Sequence, residues 1–264
     1  MHFHGPLRKM NTQYGSTIRY ALNLGEDLLL MNGLIGKKLR MEFTGSHRCF
    51  CGQLVPEVYR QNFCRECFFT KPEASPTILK PELSKAHLGI EERDLEFERR
   101  LQLQPHYVYL AKTDRIKVGV TRSSQMPTRW MDQGAVQATL LIEVPNRFLA
   151  GEAEVALKDH FVDKTSWRSM VQGIGCNEDL LEAKKEALKL LPAHLLEYRI
   201  EDHALWNLEY PGAAAANSKY VNFKEQGEQW EGTLLGIRGQ YLITDAGVFN
   251  VRSHEGFIVD LDIY

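Results

Sequence analysis

Four of the five cysteines in the 264-residue sequence fall in one stretch, "CFCGQLVPEVYRQNFCREC", as Cys49, Cys51, Cys64 and Cys67. A C-x-C pair and a C-x-x-C pair separated by a dozen residues suit tetrahedral zinc. Each pair supplies two thiolates from one turn, and the intervening segment can return as a hairpin. Gly52 is placed where a knuckle that turns backbone N–H groups toward sulfur needs positive φ. Disulfides or buried free thiols are the alternative, disfavoured in a reducing cytoplasm. Four thiolates fill the coordination shell, so such a zinc would be structural; His47 or His87 could replace one thiolate, while Cys176 stands apart. A second group of side chains lies in "YVYLAKTDRIKVGVT", Tyr107 to Thr121, followed by Arg122 and Arg129. Its period of two sets Val108, Leu110, Ile116, Val118 and Val120 on one face and Tyr107, Tyr109, Lys117 and Thr121 on the other. Gly119 would leave a spot on that second face where a ligand could reach the backbone. This face is either half-exposed sheet surface or the floor of a site.

The elements that must position these groups can be read in order. Residues 1–48 carry strand-like "STIRYALNL" and "KKLRMEFTG", with Gly33 and Gly36 at a turn. Residues 49–104 hold the cysteines and a proline-rich connector, "FFTKPEASPTILKPE", that wraps over something. The charged "GIEERDLEFERRLQLQ" reads as a solvated face, on a helix or an irregular cover. From 105 to 197 the order is hairpin, helix entered near Pro127, strand "ATLLIEVP", helix "RFLAGEAEVALKDHF", and a long amphipathic helix capped by Asn177 and interrupted by Pro192. Residues 198–264 hold a small-residue loop, "PGAAAANS", and glycine-punctuated strands. These have little core of their own and are expected to pack with residues 1–48 as a small β barrel or sandwich. The class is α+β.

With 44% hydrophobic residues and a formal charge of −2, the composition is that of an ordinary globular chain, and any nucleic acid would have to meet a local basic patch. No apolar run approaches the roughly 18 residues of a membrane span, and "MHFHGPLRKM" lacks a secretory pattern, so a cytoplasmic protein without membrane contact is expected. No small-molecule cofactor motif is evident, and oligomeric state is left open.

Several of these residues carry a resemblance. The motifs of residues 105–170 resemble the GIY-YIG endonuclease-like superfamily. "YVY" matches the first motif, "KVG" followed by threonine the second, Arg129 the arginine of the first helix and Glu154 the later glutamate; Lys158 stands where one branch has histidine. Nearly the whole chain is similar to a bacterial family known as a domain of unknown function that joins a four-cysteine module, "KVGVTR" with "PTRWMDQGA", and a β tail containing "GIRGQYL". The resemblance implies a three-stranded antiparallel sheet with flanking helices, and a divalent-metal-dependent nuclease acting on DNA or RNA. Glu154 would then hold Mg²⁺ or Mn²⁺ largely through waters, Arg129 would fork onto phosphate oxygens, and Tyr109 would exchange a proton with the attacking water. Lys117 replaces the family's second-motif tyrosine, and either takes part in proton transfer or grips phosphate. Tyr107, Gly119, Thr121, Arg122 and Arg168 would line the phosphate path, with Asp163 and Trp167 bracing it. The competing expectations are a nucleic-acid-binding protein without turnover and a zinc-stabilised protein-interaction module. Ordinary strand aromatics, an exposed strand lysine, an arginine packed beside Trp130 and a solvated helix glutamate are the bland readings, with Glu152 competing for the role of Glu154.

Overall fold

The computed structural model describes residues 1–161, 166–217 and 219–264; Asp163 lies outside them. Chain order begins with β1 (His2–Pro6), β2 (Asn11–Gln13), β3 (Arg19–Leu24), β4 (Asp27–Leu30), β5 (Lys38–Arg48) and β6 (Leu54–Val55). In β3 and the first half of β5 every second residue is buried: Tyr20, Leu22 and Leu24 in one, Leu39, Met41 and Phe43 in the other, as period-two strands with one core face require. The cysteine stretch then enters α1 (Arg65–Thr70), and the connector becomes α2 (Pro76–Leu79) with short 3₁₀ turns around it. Prolines open three of these pieces, where a missing N–H costs nothing.

The charged stretch is α3 (Leu95–Gln102), capped by Asp94, whose side chain accepts from Phe97 N–H. It is not wholly a solvated face. Glu98 is buried and its carboxylate accepts N–H groups of Glu92, Arg93 and Asp94, which ties the preceding loop to the helix.

Next come β7 (His106–Lys112), β8 (Ile116–Arg122), α4 (Thr128–Asp132), β9 (Gln137–Val144), α5 (Arg147–Leu157), α6 (Trp167–Val171) and α7 (Leu180–Leu190). β7 lies between β8 and β9, antiparallel to both, and the two-residue β10 (Trp206–Asn207) adds a fourth strand beside β9. On one face Val108, Leu110, Val118 and Leu141 pack with Ala150, Ala153 and Leu157 of α5 and Leu180 and Ala187 of α7. The connector lies across α5 so closely that a Cβ at Gly151 would sit 2.4 Å from the Glu82 nitrogen. The cap of α7 is Asp179, not Asn177: its carboxylate accepts from Leu181 and Glu182 N–H at 2.8 and 3.0 Å.

The tail supplies β11 (Tyr220–Val221), β12 (Gln229–Arg238), β13 (Tyr241–Thr244), β14 (Gly247–Asn250) and β15 (Phe257–Ile263). No closed barrel forms among the described residues. The strands make an open sheet of order β1-β15-β5-β12-β13-β14-β11, with β6 paired beside β5. Closure is absent because β1 and β11 end the order without pairing to each other, and β2, β3 and β4 form a separate three-stranded sheet. One core cluster joins all three sheets: Leu22 and Leu24, Met41, Trp230, Leu242 and Leu261, and Tyr109, Ala111 and Trp130. The first and last strands zip together, with Met1 N donating to Ile263 O at 2.7 Å. The "PGAAAANS" loop is mostly exposed but lies against β12: Ala213 N–H donates to Leu235 O, and a Cβ at Gly236 would meet Ala213 O.

Candidate functional site

The four cysteine side chains converge. All four sulfur atoms lie within 4.8 Å of one another. Zinc–sulfur bonds of about 2.3 Å would put the corners of a tetrahedron roughly 3.8 Å apart, so the cluster has the scale of such a shell. Gly52 adopts φ +89°, and Cys64 N–H donates to Cys49 Sγ at 3.1 Å. Burial alone would raise the Cys49 thiol, yet the backbone N–H groups of Cys64 and Cys51 outweigh it and bring it down to about 7, while burial pushes Cys67 up. The set favours thiolate at its first position and can hold a metal ion such as zinc. Phe63 and Ala74 pack around it as a small core of their own. His47 is not part of it; the ring pairs with Pro56 O and packs on Phe43 and Phe257. His87 instead stacks on Phe148.

The face of β7 and β8 that carries Tyr109 is covered. Tyr109 has no exposed surface, meets the Trp130 ring edge-on at 5.9 Å, and its hydroxyl donates to Gln133 Oε1 at 3.0 Å. The space over Gly119 is not open to a ligand. Tyr109 and Gly119 are direct cross-strand partners, and a Cβ there would fall 2.5 Å from the Tyr109 hydroxyl. The glycine is needed for the phenol to lie down across the sheet.

Charged groups from two other elements act on that hydroxyl: Arg129 of α4 and Glu154 of α5. Burial raises the Tyr109 pKa, the adjacent Arg129 guanidinium and Gln133 pull it back, and the Glu154 carboxylate pushes it up. Glu154 also acts on Arg147, whose pKa burial lowers to about 10 against the attraction of that carboxylate. Arg147 is anchored, with Nε donating to Thr77 O at 3.0 Å and Nη2 to Ile78 O at 2.7 Å. Arg122 and Arg147 both act on His106, which is buried and held to about 4, mainly by burial. Arg147 is thus acted on by the Glu154 carboxylate and by two further arginines, Arg122 and Arg129. Glu154 belongs to no group of three metal-ligating side chains among the described residues. Glu152 is separate, with an oxygen 3.7 Å from His194 Nε2.

The remaining positions fall elsewhere. Tyr107 is pushed up by burial and then by Glu143, on the β9 side. Buried Thr121 donates to Gln125 Oε1 at 3.3 Å. Lys117 is almost covered and lines a cavity of about 390 Å³ with Asp132, Gln133, Trp167, Tyr241 and Arg252, between β8 and the C-terminal strands. Gln133 links this cavity to the Tyr109 hydroxyl. Arg168 is exposed and lies over the Trp167 ring at 4.7 Å from the centroid. Arg147, Gln133 and His106 were not singled out in the sequence. Arg147 left a signal: it opens α5 behind the Asn146 cap, where the helix dipole disfavours a cation.

A family model described as "Protein of unknown function (DUF2797)" matches residues 36–259. No curated protein and no solved structure matches the chain. No helix among the described residues is long and apolar enough to cross a membrane.

Proposed function

The chain belongs to this family, and we propose that it is a divalent-metal-dependent nuclease with a GIY-YIG-like core, hydrolysing phosphodiester bonds in DNA or RNA, with zinc in the four-cysteine module. The observation that supports the reading is that Arg129 and Glu154, on two other elements, both act electrostatically on Tyr109, the three having been chosen from motifs alone. The strand order, with β7 central and helices α5 and α7 on one face, supports it.

In this reading Arg129, Arg122 and Arg147 attract the phosphodiester backbone, and Arg129 forks onto the scissile phosphate. Glu154 supplies a hard oxygen ligand, and a magnesium or manganese ion held there would neutralise charge on the phosphate. Tyr109 positions rather than titrates, because burial raises its pKa and its hydroxyl already donates to Gln133. Lys117 grips phosphate from the neighbouring cavity. The same sealing of Tyr109 favours a second reading, in which the core binds nucleic acid without turnover.

The test is cleavage and binding of labelled single- and double-stranded DNA and RNA with Mg²⁺ or Mn²⁺. Metal-dependent cutting that Glu154→Gln removes supports the nuclease. Binding that Arg129→Ala weakens, with no cutting, selects the second reading; neither activity on any substrate rejects both.

A further inference from the structure

Arg238, in the "GIRG" turn at the end of β12, is 9% exposed and yet forms no ion pair with a carboxylate among the described residues. A guanidinium stays protonated in a protein, and an uncompensated buried charge is costly, so its surroundings should either neutralise it or leave room for something that does. Two contacts orient its guanidinium, and Tyr20 and Asp114 act on it electrostatically. Nε donates to Gly134 O at 3.0 Å, and the guanidinium lies over the Tyr210 ring at 5.3 Å from the centroid. Tyr210 is itself fixed by a 2.7 Å hydrogen bond from its hydroxyl to Ala135 O. The plane of the guanidinium is therefore set by two contacts, while neither Nη nitrogen has a hydrogen-bond acceptor among the described residues.

Arg238 lines a cavity of about 360 Å³ whose other walls include Val136, Leu208, Pro211, Ile237 and Ile243. The cavity has one buried cation and an otherwise mainly aliphatic wall, with the exposed Glu209 at its edge.

We infer that this cavity is a binding site for a small organic monocarboxylate with an aliphatic or aromatic body, its carboxylate held by the paired Nη donors of Arg238. A planar carboxylate matches the free end of a guanidinium through two parallel hydrogen bonds. One cation balances one negative charge. A phosphate monoester carries more than one, and here the excess would be buried beside aliphatic walls with no second cation to meet it. The volume exceeds what a bare inorganic ion needs, and the apolar walls reward a hydrocarbon body. The site is separate from the Tyr109, Arg129 and Glu154 group and does not depend on nuclease activity.

The experiment is calorimetric titration of the full chain with acetate, 3-methylbutanoate, benzoate and inorganic phosphate. Saturable one-to-one binding of 3-methylbutanoate or benzoate is expected, tighter than acetate by roughly fourfold per added methylene for the aliphatic pair. Phosphate should bind at least about tenfold more weakly than the best carboxylate, since it brings no apolar body to the aliphatic walls and its second charge meets no second cation there. Arg238→Lys, which keeps the charge but loses the fork, should weaken the best carboxylate by about tenfold or more. No saturable carboxylate binding at millimolar concentration, affinity that does not grow with the apolar body, phosphate binding tightest, or unchanged affinity in Arg238→Lys would each overturn the assignment. If circular dichroism shows that Arg238→Lys does not fold, Val136→Phe, which fills the cavity and leaves the guanidinium in place, should abolish binding; full affinity in that variant overturns it equally.

Discussion

At the residue scale, the contact between Gly119 and Tyr109 is the most sharply constrained in the central sheet. A methyl group at position 119 meets the phenol end at 2.5 Å, and the ring is boxed in by Trp130. Gly119→Ala is expected to destabilise the protein by about 1–3 kcal/mol, as overpacking does. Adding Tyr109→Leu should recover part of that loss in a double-mutant cycle followed by urea denaturation, because the obstructing atoms are gone. His106 gives a pH prediction. Its folded pKa, about 4, is depressed below the ordinary 6.5, first by burial and then by the nearby Arg147 and Arg122. The unfolded chain therefore takes up a proton before the folded one does. Stability contributed above pH 6.5 is lost as pH falls toward 4, on the order of 3 kcal/mol over that window. His106→Gln should flatten that part of a stability profile measured by denaturant titration at successive pH values. The choice of Tyr109, Arg129 and Glu154 rests on spaced motifs. The cover over the Tyr109 face was not legible in the sequence. Alternation says which residues share a face, but a third layer that buries the polar face comes from sequence more than a hundred residues away, such as Trp230 and Leu242.

Among the elements, the cysteine module and the connector after it do separate work. The module has its own small core of Phe63 and Ala74, too little apolar burial to hold its turns without a metal. Chelation of a zinc-loaded sample, or Cys49→Ser, is expected to remove hydrogen-exchange protection from residues 49–71 and leave β5 and β15 protected, since those strands belong to the large sheet. Equal loss everywhere would contradict a self-contained module. The connector depends on Gly151. A side chain there would meet the Glu82 nitrogen at 2.4 Å, so Gly151→Ala should cost about 1–3 kcal/mol by thermal denaturation. The cysteine spacing was legible because tetrahedral ligation dictates it. The cap of α7 was misread because Asn177 and Asp179 both offer side-chain acceptors, and only the actual helical turn decides which one reaches Leu181 and Glu182. Likewise the loop around Ala213 is small-residue-rich by composition, and the close approach it makes to β12 is at Gly212 and Gly236, where a Cβ would meet the opposing backbone.

Across the whole molecule, the pairing of the two chain ends is the organising fact. β5 lies between β12 and β15, and β1 closes on β15, so the N- and C-terminal parts share one sheet. Short glycine-punctuated strands with too little core of their own foretold such a partner. Whether they would curl into a barrel or stay open was not encoded in any local pattern, because closure depends on the two edge strands finding each other and here they do not. This sheet presses Trp230, Leu234 and Leu242 into the same core as Tyr109 and Trp130, and the cavity lined by Lys117 sits along that join. The large sheet is thus a structural wall of the proposed nucleic-acid site as well as a separate layer. The most direct measurement is single-turnover cleavage of an end-labelled nucleic acid in Mn²⁺ by the full chain and by Glu154→Gln. The proposed function requires metal-dependent cutting that falls by about 100-fold or more in the variant while substrate affinity is retained. Equal cutting by both proteins would contradict the assignment of Glu154, and no cutting by the unsubstituted chain would contradict the nuclease itself.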